Sequence, residues 1–171
     1  MMHVFSDIFK KTLSKKPGHH DVHQFQGAGH LNPGISRLFG RTLAIREVDC
    51  GSDNAAEMEL ATLSSPHYDV EQYGITFVAS PRHADALMVT GAVTHAMADA
   101  LRKTYDATPD PKIVIAVGDD ACTGGIYAGS YAVLGGVDTV IPVDIRIPGN
   151  PPTPHKILQA LLTAMSSEDR H

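Results

Sequence analysis

Three short stretches gather residues able to do chemistry. They are Cys50–Glu57 (CGSDNAAE), Gly118–Gly125 (GDDACTGG) and Pro148–Pro154 (PGNPPTP). Asp53, Glu57 and Asp120 are carboxylates, suited to a hard cation or to a proton. Asn150 adds an amide. Cys50 and Cys122 are the only thiols in 171 residues. Two thiols exclude a disulfide-stapled scaffold and any site that needs four thiolates from this chain. There is no Ser-His-Asp order, no Walker phosphate loop and no dinucleotide fingerprint. Gly124-Gly125 alone does not make a phosphate cradle.

These stretches need elements to position them. Leu43–Val48 reads as a strand. Asp53 or Asn54 caps a helix from Ala55 to about Ser64, with Ala56, Leu60 and Leu63 on one face. Ile75–Ala79 and Ala86–Thr90 read as strands, and a helix runs from about Thr94 to Tyr105. Lys112–Val117 (KIVIAV) is a nearly unbroken apolar run, as in a central parallel strand buried on both faces. Asp138–Pro142 reads as a further strand, and Pro154 opens a last helix over about His155–Met165. Strand and helix alternate, so a parallel α/β sheet with crossover helices is expected. In such sheets the functional loops lie at the carboxyl ends of the strands, and all three stretches follow that rule.

The amino-terminal quarter differs in character. Composition is globular, at 43% hydrophobic and 19% charged, and the net charge is −5. That figure hides an asymmetry. Residues 1–46 carry seven Lys and Arg against Asp7 and Asp21, or +5, and the remainder carries seven basic and 17 acidic side chains, or −10. Val4, Phe5, Ile8, Phe9 and Leu13 recur at helical spacing over 2–16, with Lys10, Lys11, Lys15 and Lys16 near the end. Such a basic amphipathic helix suits a membrane surface or a partner groove; packing on its own domain, or simple solvation, is the alternative. Residues 17–40 are broken by Gly and Pro and read as an extended loop. His19 and His23 sit four apart in it, but no Cys or acidic ligand pattern follows them. The expected division is an arm over 1–42 and a domain over 43–171. Met1–Leu13 lacks the apolar core of a signal peptide, and no stretch approaches the ~20 apolar residues of a membrane span. A soluble or peripheral cytosolic protein is expected.

The loops also carry a resemblance. DCGSDNAAEMEL at 49–60, SPHYDVEQYGITFVASPRHADALMVTGAVT at 65–94, VGDDACTGGIY at 117–127 and GGVDTVIPVDIRIPGNPPTPHKILQAL at 135–161 resemble one family. It joins the 20 kDa subunit of respiratory complex I to the small subunits of NiFe hydrogenases. The likeness is greatest to group 4 membrane-bound hydrogenases and formate hydrogenlyase. It implies a flavodoxin-like fold, a hydrogenase-like or complex I-like large-subunit partner and membrane-arm subunits, with no nucleic acid. It also implies a place at the inner face of the cell membrane, where residues 2–16 could touch the membrane peripherally.

The hydrogenase branch reads DCGSCNGCE, GDCA and PGCPP where this chain reads DCGSDNAAE, GDDA and PGNPP. The resemblance therefore places Asp53, Ala56, Asp120 and Asn150 at the four positions that hold a 4Fe–4S cluster. Cys50 and Cys122 are close in sequence to these positions without aligning to them, and both are expected near the cavity mouth. Alanine supplies no donor, and carboxylate or amide oxygens are hard ligands for a soft sulfide cluster. No cofactor is expected, and no catalysis by this chain alone. The vacated positions are open to a hydrogen-bonded polar plug, a hard cation or a proton-relay site through Asp53, Glu57 and Asp120. Glu57 stands where the family has an acid associated with proton movement, although a carboxylate at a helix start needs no such role. The main reading is a cluster-less structural or coupling subunit. Its rivals are an electron-transfer iron–sulfur subunit with atypical ligation and an independent small-molecule or metal-binding module.

Overall fold

Residues 42–166 are described in the structure, a computed structural model. The helix expected over 2–16 and the histidine-bearing stretch 17–40 lie outside the described residues. Among the described residues seven strands form: β1 (Leu43–Asp49), β2 (Ile75–Phe77), β3 (Ala86–Thr90), β4 (Val93–Thr94), β5 (Ile113–Val117), β6 (Val133–Gly135) and β7 (Ile145–Ile147). Four α-helices accompany them among the same residues: α1 (Ala55–Leu63), α2 (Ala98–Ala107), α3 (Asp119–Thr123) and α4 (Pro154–Ser166). Five strands make one parallel sheet in the order β2-β1-β3-β5-β7. This is the flavodoxin-like order, which reverses direction between β1 and β3.

The sheet is buried on both faces, as the apolar runs require. Every residue of β3 and β5 is buried. Alternation along the strands divides the core in two. Met88, Ile113 and Ile115 face a cluster with Leu60 and Leu63 of α1 and Ile157 and Leu161 of α4. Leu87, Val89, Val114 and Ala116 face a second cluster with Leu101 of α2 and Ala121 of α3. Each fully buried Leu or Ile contributes roughly 1.5–3 kcal/mol relative to exposure.

Three aspartates lash loops to strands by reciprocal bonds. The Asp85 carboxylate accepts the Ala44 N–H at 3.0 Å while its own N–H donates to Ala44 O at 2.8 Å. Asp144 does the same with Val114, at 2.8 and 2.9 Å. Asp119 does so with Gly149, both at 2.8 Å. Each carboxylate replaces a ladder partner that the neighbouring chain cannot supply at that point.

Several expectations are corrected. No strand forms over 138–142. Val137–Thr139 is a 3-10 turn, the Val140 and Ile141 N–H groups both donate back to Val137 O, and the strand lies later, at Ile145–Ile147. The helix expected from Thr94 starts at Ala98. Thr94 is held in β4 by its N–H bond to Cys50 O, and its hydroxyl accepts the Met97 N–H. His95 is therefore an exposed residue ahead of that helix. Neither candidate caps α1 in the usual way. Asn54 occupies the cap with φ 72° and no side-chain bond, and Asp53 Oδ1 accepts the Ala55 N–H instead.

Candidate functional site

Each strand of the sheet except β2 ends in a loop that reaches one recess. Ser52, Asp53 and Ala56 arrive after β1, Gly91 after β3, Gly118–Asp120 after β5, and Gly149, Asn150 and Pro151 after β7. The recess thus sits at the carboxyl ends of the strands and beside the reversal in strand order, where α/β sheets place their sites. The structure sets Asp53, Ala56, Asp120 and Asn150 on its wall together.

Ordinary packing contacts and backbone hydrogen bonds shape it. A Cβ on Gly118 would stand 3.6 Å from Gly149 O, 3.9 Å from Pro152 Cδ and 4.0 Å from the Ala56 methyl. The loops after β5 and β7 are joined by the Asp119–Gly149 pair of bonds. The loop after β1 is joined to the segment after β3 by three bonds: Cys50 N–H to Thr90 O at 3.0 Å, and Thr94 N–H and Oγ1–H to Cys50 O at 3.0 and 3.2 Å. Asp119 and Ser52 were not singled out from the sequence. The signal for Asp119 is its place directly after the strand-ending Gly118.

The carboxylates are unevenly satisfied. Asp53 is exposed and bonds to Ala55 N–H. Ser52 Oγ donates to Glu57 Oε2 and accepts the Asn54 N–H. Glu57 Oε1 and Asp120 Oδ1 are shielded from solvent and lack a hydrogen-bond partner. Burial pushes the Asp120 carboxyl above the usual range, the neighbouring charges of Asp53 and then Asp119 push the same way, and the Ile126 N–H opposes them. Glu47 is also raised, by burial and then by the Glu57 charge.

The two thiols are not at the mouth of the recess, contrary to expectation. Cys50 is fully buried and Cys122 is 7% exposed, and both belong to the core cluster on the α2–α3 face. Cys122 Sγ donates weakly to Ala116 O at 3.7 Å. Burial, then the Asp49 charge, pushes Cys50 to about 12; burial pushes Cys122 to about 11. A buried thiol this weakly acidic is a poor nucleophile and a poor ligand. Neither thiol should react with iodoacetamide in the native protein at pH 8, and both should react once it is unfolded in guanidinium. Mass spectrometry of the alkylated chain reads the result, and native labelling would show that the loops open.

The wall offers no donor set for a 4Fe–4S cluster. Its side chains supply carboxylate, amide and hydroxyl oxygens and apolar groups, with no sulfur. Among the described residues, no group of three or more His, Cys, Asp or Glu side chains converges to hold a metal ion. The arrangement can hold protons and hydrogen bonds.

A flavodoxin-like sheet with its site at the strand ends defines a class shared by many redox and nucleotide-binding proteins. Within that class the chain belongs to the family described as NADH ubiquinone oxidoreductase, 20 Kd subunit, whose model matches residues 53–164. It is 45% identical over 135 residues to formate hydrogenlyase subunit 7 of Escherichia coli, covering 79% of this chain and 53% of that one. It therefore spans about half the length of that relative. It is 39% identical over 131 residues to a probable membrane-bound hydrogenase subunit, mbhJ, of Pyrococcus furiosus, covering 77% of this chain and 78% of that one. Among solved structures it is similar to a chain of the membrane-bound sulfane sulfur reductase, an archaeal respiratory membrane complex. The TM-score is 0.66 at 31% identity, covering 79% of this chain and 75% of the other.

Proposed function

We propose that this chain is a cluster-less structural or coupling subunit of a membrane-associated complex related to complex I and the group 4 hydrogenases. It bridges a hydrogenase-like large subunit and a membrane arm, and electrons do not pass through it. The observation that carries this reading is the composition of the recess. The four positions that the family resemblance assigns to cluster ligands are Asp53, Ala56, Asp120 and Asn150, and they share one wall that contains no thiolate. The two thiols present are buried in the core instead. The names of the relatives support the setting in a membrane complex. Among the described residues no helix is long and apolar enough to cross a membrane, which fits a peripheral place at its inner face.

The protein provides frame and surface in this role. The Asp119–Gly149 lashing and the Cys50–Thr94 bonds keep the strand-end loops closed where a cluster would otherwise brace them. The experiment is anaerobic purification followed by iron and acid-labile sulfide analysis, with EPR after dithionite reduction. The expected result is a colourless protein with iron near zero and no reduced-cluster signal. Stoichiometric iron and sulfide with a reducible signal would establish the rival, an electron-transfer subunit with atypical ligation.

A further inference from the structure

The outer edge of β2 is open. β2 pairs with β1 on one side and, among the described residues, with no strand on the other. The Val78 N–H donates to Ile45 O at 2.8 Å, so alternation along the strand turns the backbone groups of Ile75 and Phe77 away from β1. Native sheets guard or cover such an edge, because its unpaired N–H and C=O groups invite another segment. Apart from being short, this edge is unguarded. Its residues are Ile75, Thr76 and Phe77, with no charge and no proline. Tyr73 stands beside it, 41% exposed.

The chain brings its own cover to this spot. The Leu43 N–H donates to Gly74 O at 2.7 Å, and a Cβ on Gly74 would stand 3.7 Å from Thr42 Cα. Thr42 therefore sits at the foot of β2. Arg41 is one Cα step of ~3.8 Å beyond it, and seven extended residues reach about 25 Å. The edge itself spans only about 10 Å, so the residues just before Thr42 can lie along all of it. A tether this short holds them near the edge at roughly millimolar effective concentration. Their composition matches what they would meet. Residues 35–41 hold Ile35, Leu38 and Phe39, with Arg37 and Arg41 and no acid. Residues 64–77 hold Asp69 and Glu71, both exposed, and no Lys or Arg. Basic side chains facing that acidic border would fix the register of apolar ones against the edge.

We propose that the outer edge of β2, with Tyr73 beside it, is an intramolecular docking site for residues 35–41, Arg37 and Arg41 facing Asp69 and Glu71. The site lies away from the recess and stands independently of the subunit reading. The test uses the full chain in its native membranes. Benzoylphenylalanine replaces Phe39, the membranes are irradiated, and the crosslinked peptides are sequenced. The expected product is a link within one chain from position 39 to residues 69–77. Arg37→Glu with Arg41→Glu should lower its yield at least threefold. Adding Glu71→Lys and Asp69→Asn should restore it, and Asn tolerates the left-handed backbone at 69 (φ 42°). Hydrogen exchange of the purified complex gives a second reading. Leu38→Asp with Phe39→Asp should speed exchange over residues 74–79 at least threefold and leave the β5 peptide unchanged. A link to another subunit, to lipid, to a second copy of the chain or to any other part of it overturns the proposal. So does the absence of a link, or exchange at 74–79 that ignores the variant. The subunit reading survives each of these results, because iron and sulfide analysis tests it separately.

Discussion

Introducing cysteine at all four positions that the family resemblance assigns to cluster ligands is expected to turn the protein brown. The variant combines Asp53→Cys, Ala56→Cys, Asp120→Cys and Asn150→Cys. After anaerobic reconstitution with iron and sulfide it should hold about four irons and four sulfides per chain, the content of a single 4Fe–4S cluster held by four thiolates. The wild-type chain treated in parallel should hold none. The reason is geometric. The four positions come from the loops after β1 and β7 and the first turns of α1 and α3, yet they line one recess. Thiolates placed there would share that recess; Cys is no larger than Asp or Asn, and only Ala56→Cys adds a heavy atom. Adding Cys50→Ser and Cys122→Ser to the variant should leave the iron content unchanged, because those thiols lie in the core. A folded variant that takes up no iron would show that the four positions do not share a ligand geometry. Loss of iron on removing the buried thiols would show that they reach the recess after all.

That experiment also separates what could be read from the sequence from what could not. The apolar run Lys112–Val117 announced β5, because a strand buried on both faces leaves no polar residues to confuse the pattern. The three loops rich in Gly, Pro and Asp announced the site, since a parallel sheet brings its strand ends together. The strand expected over 138–142 failed for a local reason. Its β-branched residues fit a strand, but turn bonds to Val137 O take its amides, and Asp144 starts the true strand by lashing to Val114. The β4–β6 ribbon is two to three residues long, too short to show a period. The direction of the thiols was hidden too. Sequence distance put Cys50 and Cys122 beside the loops, whereas packing turns both inward.

The lashings hold the strand-end loops to one another through hydrogen bonds of this chain's own groups. A cluster would cross-link loops from several strands at once. Hydrogen bonds join neighbouring loops here, with Asp119 binding the β7 loop to the β5 loop and Thr94 binding the β1 loop to the segment after β3. Most of these bonds use backbone groups that would otherwise be left unpaired at strand ends, so each contributes about 1 kcal/mol or more while fixing geometry. The recess depends on backbone closeness as much as on side chains.

Gly91→Ala should therefore be among the most damaging single substitutions in the chain. Gly91 ends β3 with φ +71°, a region that L side chains enter only at a cost. Its ideal Cβ would stand 2.3 Å from Ser52 N, 2.6 Å from Ser52 Cα and 2.7 Å from Gly51 C. These are backbone atoms of the loop that carries Asp53, and they cannot rotate away. To admit one methyl group, the loop must move and stretch the bonds between Cys50 and Thr94. Left-handed strain of about 1–2 kcal/mol adds to overpacking of about 1–3 kcal/mol, for a loss of roughly 3 kcal/mol. For a chain of this size that lowers Tm by about 6–12 °C. Gly129→Ala is the control. Gly129 has φ +83° but nothing within 4 Å of its Cβ, so only the conformational strain of about 1–2 kcal/mol remains. Thermal unfolding of both variants followed by circular dichroism decides the matter. Equal losses would mean that the approach of the β1 loop to Gly91 is not fixed, and the recess would then lack a defined wall.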